Sequence, residues 1–442
     1  MAKAYSQYIC QQCGYSQVGW AGKCPNCNAW GSLVETLLHQ DSGGQAVKKS
    51  LSSKPVSLSS IPAKKTSRTL TKIPELDRVL GGGLVSGQVV LLAGEPGIGK
   101  STLLLQVANS LAKSKSQFLY ISGEESSYQI KLRAQRLGIK NANLNLLEET
   151  DVDTAINTIS TFKGEPLQGV VVDSIQTMAT LELSGMAGSV GQVRECAFRL
   201  IRLAKSEGIP IFLVGHVTKE GTVAGPAVLA HMVDTLLWFE GDKSLTLRIL
   251  RAVKNRFGAT DEVGIFSMEE RGLLSQSNPE KIFLTSGAKQ VPGSAVSSIL
   301  EGSRPILVEI QSLVVKSNLA YPRRVAQGID SKRLELLLAV LAKRCGLPLY
   351  EYDCFVNVAG GISLKKDPSS DLAVCLSLAS AFFEKPLPKA SVVVGEVGLL
   401  GDVRNVISSE KRIKEAKRLG YTNPITQKEV KFLGQAVKTH LR

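Results

Sequence analysis

No stretch of the 442-residue sequence approaches the ~20 consecutive apolar residues that carry a helix across a bilayer, so no membrane partner is expected. The first residues, MAKAYSQYICQQCG, lack the apolar core of a secretory signal, and a cytoplasmic protein is expected. Beyond residue 27 cysteine is sparse. Cys196, Cys345, Cys354 and Cys375 lie scattered in apolar surroundings, as free thiols packed like small hydrophobes do, which excludes a disulfide framework. No internal repeat is evident. Acidic residues are in deficit, 39 against 53 basic ones, and the resulting +14 suits a polyanion such as nucleic acid without proving that one binds.

The length suffices for about three domains. A Cys-rich head (1–36) precedes a tether (37–69) rich in Ser, Lys, Gly and Pro, whose lack of apolar periodicity predicts a flexible basic linker. From 70 to 272 short β-branched runs alternate with helical patterns. Strands are expected at 88–94, 118–122, 169–175, 210–217, 235–241 and 245–253, and helices near 100–113, 127–137, 151–162 and 191–207. That alternation predicts an α/β domain with a largely parallel sheet, its last strands forming an antiparallel edge. New strands and helices from 281 to 442 predict a separate α+β domain.

Cys10-x2-Cys13 and Cys24-x2-Cys27 form two knuckles ten residues apart. Tetrahedral Zn2+ takes four thiolates, and each C-x2-C turn sets two sulfurs on one side of a tight loop, so a closed structural zinc site is expected. GEPGIGKS, from Gly94 through Glu95, Pro96, Gly97, Ile98, Gly99 and Lys100 to Ser101, fits G-x-x-x-x-G-K-[ST] between a strand and a helix. Its N–H groups would face phosphate oxygens, with Lys100 directed to the β and γ phosphates of ATP. Ser101 is a candidate Mg2+ ligand, and Thr102 opens a helix whose dipole favours the anion. Asp173, ending the apolar strand VVVD, is the second expected Mg2+ anchor. The strand FLYIS exits into Gly123-Glu124-Glu125-Ser126, and Glu124 is favoured to orient the attacking water, with Glu125 the alternate. His216, after FLVG, is a candidate γ-phosphate sensor or an ordinary structural histidine.

The approach IPELDRVLGGGLVSGQVVLLAGEPGIGKS resembles the RecA/DnaB/KaiC group of ATPases. With the four-cysteine head, YISGEES, GHVTKEG, VKNRFG and a C-terminal segment like the Lon protease domain (an S5-like fold), the order of parts resembles the bacterial RadA (Sms) family of DNA-repair proteins. The resemblance implies a RecA-like core in hexameric rings that couple ATP hydrolysis to movement on single-stranded DNA. It further implies helicase-like branch migration on branched DNA in homologous recombination, alongside the RecA recombinase. By the same resemblance Lys254 and Arg256 of VKNRFG match cations that reach the γ-phosphate held by a neighbouring subunit, whereas Arg248 and Arg251 match no motif. Two glycine-rich segments, 181–195 with Arg194 and 219–234 with Lys219, correspond to DNA-facing loops.

The Lon-like segment raises the alternative of an ATP-dependent Ser-Lys protease, and a KaiC-like regulatory ATPase is a second one. Ser369 aligns with the protease serine, but counting back from AKRLG gives Glu410 where the lysine base belongs, with Lys411 turned ~100° away. A proteolytically inactive scaffold is expected, with Arg323, Arg324, Lys332 and Arg333 as a basic cluster for DNA.

Overall fold

The computed structural model describes residues 5–10, 15–38, 57, 68–113, 115–216, 226–241, 247–276, 284, 291–361, 364 and 367–442. The chain divides into two compact units, Met1–Gln276 and Ser277–Arg442.

At the head, β1 (Tyr5–Cys10) pairs antiparallel with β2 (Ser16–Gln17) and β3 (Leu33–Leu38), which sets Cys10 opposite Leu33. Its core is small, with Cys10, Cys24 and Leu33 buried. A core of this size needs a staple, and a bound metal is one that can supply it.

The rest of the first unit is one nine-stranded sheet. Its parallel strands are β4 (Val89–Gly94), β5 (Gln117–Ser122), β6 (Leu144–Glu148), β7 (Leu167–Asp173), β8 (Ile211–His216) and β9 (Thr235–Glu240). Three antiparallel strands, β10 (Leu247–Asn255), β11 (Val263–Glu269) and β12 (Gly272–Ser275), complete it in the order β12-β11-β10-β9-β4-β8-β7-β5-β6. Alternation along each strand feeds two cores. On β4, Val90 and Leu92 join one, and Val89, Leu91 and Ala93 the other; on β5, Phe118 and Tyr120 oppose Leu119 and Ile121. Helices α1 (Pro74–Val79), α2 (Lys100–Leu111) and α3 (Ser127–Arg136) supply apolar residues to the first core, and α4 (Val152–Ser160) and α5 (Val190–Glu207) to the second. Both faces being covered explains why the central strands read as continuous apolar runs. A short helix, α6 (Pro226–Ala230), precedes β9. The edge strand β6 was not expected from its sequence, LNLLE, whose residues are only partly buried or exposed.

The second unit is built on a four-stranded sheet, β13 (Ser294–Glu301), β14 (Arg304–Lys316), β15 (Arg324–Gln327) and β16 (Tyr352–Val358), in the order β13-β14-β16-β15. Helices α7 (Ser331–Cys345), α8 (Asp371–Phe383), α9 (Ser409–Arg418) and α10 (Leu433–Leu441) accompany it. Residues 371–380 of α8 are all buried, which makes it the central helix of this unit. Burial pushes the Cys196 thiol up to about 12 and the Cys354 thiol to about 11, so these cysteines are inert core groups. No helix among the described residues is long and apolar enough to cross a membrane.

Candidate functional site

The register places the candidate residues together. Gly94 of β4 pairs with His216 of β8, and Asp173 of β7 pairs with Ser122 of β5. With strand order β4-β8-β7-β5, the phosphate loop, His216, Asp173 and the Glu124 turn all leave the C-terminal edge of the parallel strands. Ligands of open α/β sheets bind at that edge.

The loop after β4 turns through Gly97 and Gly99, both at positive φ (78° and 113°), before α2 begins at Lys100. Lys100 is buried, and its Nζ donates to the carbonyls of Gly94 at 2.9 Å and Glu95 at 3.0 Å. Burial lowers its pKa to about 8, against the opposing pull of Asp173 and Glu124. Asp173 is also buried and accepts a 2.5 Å hydrogen bond on Oδ2 from the Tyr120 hydroxyl. Burial, followed by the Asp173 charge, raises the Tyr120 phenol well above its ordinary range, so it stays a donor.

Glu124 is held from two sides. His216 Nε2 lies 3.4 Å from its Oε1, an ion-pair distance without hydrogen-bond alignment, and the Ser174 hydroxyl donates to the same oxygen at 2.6 Å. His216 and then Ser174 hold the Glu124 carboxyl down at about 2, against partial burial. The turn that carries Glu124 is fixed at Gly123. Its N–H donates to Asp173 O at 2.9 Å, and a Cβ there would lie 2.1 Å from Thr177 Oγ1, so no side chain fits. Glu125 faces elsewhere, in an ion pair with Arg133 of α3. The Gln176 amide clasps the His216 backbone, donating to its carbonyl at 3.1 Å and accepting from its N–H at 3.3 Å. Ser174, Gln176, Thr177 and Tyr120 escaped sequence reasoning. Their residue types are common, and only the pairing of β5, β7 and β8 brings them to the site.

Lys254 and Arg256 lie elsewhere. Asn255 pairs with Thr235, which pairs with Val90, four residues or about 13 Å along β4 from Gly94. The strand exit thus stands at the opposite edge of the sheet from its own phosphate loop. Lys254 Nζ donates to the carbonyls of Ala230 (2.8 Å) and His231 (3.1 Å) at the end of α6, and burial, then Arg256, lowers its pKa. Arg256 is exposed. Asn255 between them is an internal strut, donating to Val79 O at 3.2 Å and accepting from the Phe257 N–H at 3.0 Å. The pairing of β10 with β9 slips between Ala252 and Lys254, leaving Val253 bulged and 56% exposed.

Of the two candidate DNA segments, 181–195 has a built base. Gln192 is buried, donating to the carbonyls of Thr180, Leu183 and Gly185 and accepting from Thr180 N. Arg199 ties Asp153, Glu182 and Glu195 together beside it. The segment displays Leu181 and Met186 to solvent, 98% and 85% exposed, and Arg194 is exposed on α5. Lys219 and the stretch 219–225 of the second segment lie outside the described residues, as does Cys13.

At the head, the sulfurs of Cys10, Cys24 and Cys27 lie within 4.8 Å of one another, with Cys10 and Cys27 at 3.6 Å. Tetrahedral zinc with ~2.3 Å bonds sets sulfurs about 3.8 Å apart, so the three fit one coordination sphere.

In the second unit, Ser369 is fully buried and its Oγ accepts from Arg412 Nη1 at 2.7 Å. Arg412 Nη2 also donates to Asp367 at 2.9 Å, and its other nitrogens to the carbonyls of Ser298 and Ile407. The residue of α9 that faces the serine is therefore Arg412, not Glu410, which is 91% exposed and 3.7 Å from Lys428. A guanidinium cannot take a serine proton. Two members of the expected basic cluster are likewise committed internally. Arg333 pairs with Asp371 through two nitrogens, and Arg324 donates to the carbonyls of Arg323, Leu349 and Tyr352, which leaves Arg323 and Lys332 exposed. Arg412→Ala, by stranding Asp367, is expected to lower the stability of this unit by about 3 kcal/mol, near the low end for a broken buried pair because Asp367 is 22% exposed. Thermal unfolding of the variant beside wild type checks it, and an unchanged midpoint would refute it.

Residues 55–222 match the AAA domain family, and residues 8–35 a rubredoxin metal binding domain. The chain is 50% identical over 429 residues to the DNA repair protein RadA of Bacillus subtilis, covering 96% of this chain and 93% of the relative. It is 49% identical over 434 residues to RadA of Pseudomonas aeruginosa (96% and 93%), and 47% identical over 421 residues to RadA of Listeria monocytogenes (95% and 91%).

Proposed function

Because the chain belongs to the RadA family of DNA repair proteins, we propose that it is a DNA-dependent ATPase that moves on single-stranded DNA and promotes branch migration of recombination intermediates. The observation that carries this reading is the split of the site between the two edges of one sheet. The phosphate loop, Asp173 and Glu124 occupy one edge, and Lys254 with Arg256 leave the other, away from the phosphate loop of their own chain. A ring of copies, hexameric by resemblance, closes each site.

The backbone N–H groups of residues 97–101 and the Lys100 ammonium would hold the phosphates, with Ser101 and Asp173 as the Mg2+ anchors. Bound Mg2+ would supply charge neutralisation at the β and γ oxygens. Tyr120 restrains Asp173 Oδ2, and Glu124 orients the water. Loop 181–189 presents its exposed side chains to the strand. Among the described residues the side chain that donates to Ser369 Oγ is the guanidinium of Arg412, which is no base, and this favours the ATPase over the protease reading.

The test is ATP turnover with and without single-stranded DNA, together with unwinding of a branched DNA substrate. Stimulation by single strands and nucleotide-dependent product are expected from wild type, with both lost in Lys100→Ala. Turnover indifferent to DNA would favour the regulatory ATPase instead. The lowered Lys100 pKa sets a further expectation. Below pH 8 the ammonium is already charged and meets the phosphates at no protonation cost. Above it binding must take up a proton, so affinity for a fluorescent ATP analogue is expected to fall, approaching tenfold per pH unit. A flat profile from pH 7 to 9.5 would contradict this.

A further inference from the structure

The Glu124 carboxylate is gripped asymmetrically. The Ser174 hydroxyl (2.6 Å) and His216 Nε2 (3.4 Å) both approach Oε1. We propose that Ser174 is a positioning residue for ATP hydrolysis, holding Oε1 of Glu124 so that Oε2 is presented to the attacking water. This rests on the assignment of Glu124 as the water-orienting carboxylate.

Ser174 is fully buried and immediately follows Asp173, joined to it by a cis peptide. Its carbonyl accepts from Thr177 Oγ1 at 2.8 Å, and the next residue, Ile175, donates to Val214 O at 3.0 Å. The hydroxyl therefore projects from a backbone fixed to β8. An ionised carboxylate has no proton to give, so the one hydroxyl proton points to Glu124 and the direction of the bond is settled. Consecutive residues of one strand end thus set both the metal anchor and the aim of a carboxylate borne by another turn. Glu124 itself is 43% exposed on its side chain, so without the hydroxyl little packing would stop it from turning. Misplacing a reacting group by 1 Å can lower a rate by about 10²-fold.

The experiment compares steady-state ATP turnover of the full chain, with single-stranded DNA present, for wild type, Ser174→Ala, Ser174→Thr, Glu124→Gln and the Ser174→Ala/Glu124→Gln double variant. Ser174→Ala is expected to lower kcat about tenfold or more while KM stays within about threefold, since an orienting contact acts in the transition state rather than on binding. Ser174→Thr, which keeps the hydroxyl, is expected to recover most of the rate. The double variant is expected to match Glu124→Gln, because a contact that acts through Glu124 has nothing left to act on. A wild-type kcat in Ser174→Ala beside a lost one in Glu124→Gln would overturn the proposal alone. So would a further loss in the double variant, which marks a general structural role. A wild-type rate in Glu124→Gln would remove the assignment of Glu124 and this proposal with it.

Discussion

Mixing chains carrying Lys254→Ala and Arg256→Ala with chains carrying Lys100→Ala is expected to restore ATP hydrolysis that neither preparation supports alone. The two cations leave the sheet at the edge opposite their own Gly94, about 13 Å along β4, and under the proposed function they serve a site other than their own. The cation-deleted parent is expected to lose about 10³-fold or more in kcat, the range seen when a charge supplied across an interface is removed, and the Lys100→Ala parent to lose turnover through its own phosphate loop. At random mixing roughly a quarter of interfaces join an intact loop to intact cations, which bounds the recovery. The cation-deleted chains keep their own phosphate loop, so their affinity for ATP is expected to change little. Lys254 also holds the carbonyls of Ala230 and His231, at the end of α6 and within the second candidate DNA segment. Reaching a neighbour's phosphate requires it to release them, which would link nucleotide state to that segment. If the mixture stays inactive while both parents still assemble, the cations act within one chain or not at all.

Glu124→Gln is expected to lower kcat by about 10²–10³-fold with ATP affinity retained, leaving the chain arrested with nucleotide bound. Glutamine keeps the size and can still accept from Ser174, but it loses the negative charge that orients and polarises a water. Glu125→Gln is expected to hydrolyse ATP near the wild-type rate, because Glu125 is spent on Arg133 at the surface of α3. Turnover and equilibrium nucleotide binding measured on both variants separate the two carboxylates, and the reverse ranking would reassign the role to Glu125. Since Glu124 stays ionised down to about pH 2, no loss of activity between pH 5 and 7 is expected from its protonation. A carboxylate held low contributes its charge above that point and loses it only on descending through it.

Both carboxylates stand side by side in sequence, and nothing local distinguishes them. What separates them is the partner each finds, Ser174 and His216 from neighbouring strand ends for one and Arg133 of α3 for the other. The phosphate loop and Asp173 were legible because glycine spacing and an apolar strand ending in aspartate are local patterns with a local cause. The central strands were legible because continuous apolar runs bounded by turns leave few alternatives, whereas β6, only half buried at the sheet edge, gave no such pattern. In the second unit the count along α9 failed by two residues. Glu410 and Arg412 differ by about 200° around a helix, so such an offset exchanges a solvent-facing side chain for a buried one. Within the expected basic cluster, Arg324 and Arg333 find internal partners for a related reason. Sequence records a charge but not the partner that uses it, and Asp371 uses Arg333.

The slip at Val253 has a consequence for how the strand exit is read. Side chains of a regular strand alternate, and Leu250 and Ala252 point into the core. Uninterrupted counting would send Lys254 and Arg256 the same way and Asn255 outward. One inserted residue inverts that parity. Asn255 is brought in to brace Val79, Lys254 is turned onto the carbonyls of Ala230 and His231, and Arg256 is exposed. The placement of charge at this edge is therefore decided by an odd or even number of residues as much as by which residues they are. Two chains with the same KNRFG letters but one residue more or less before them would present opposite faces.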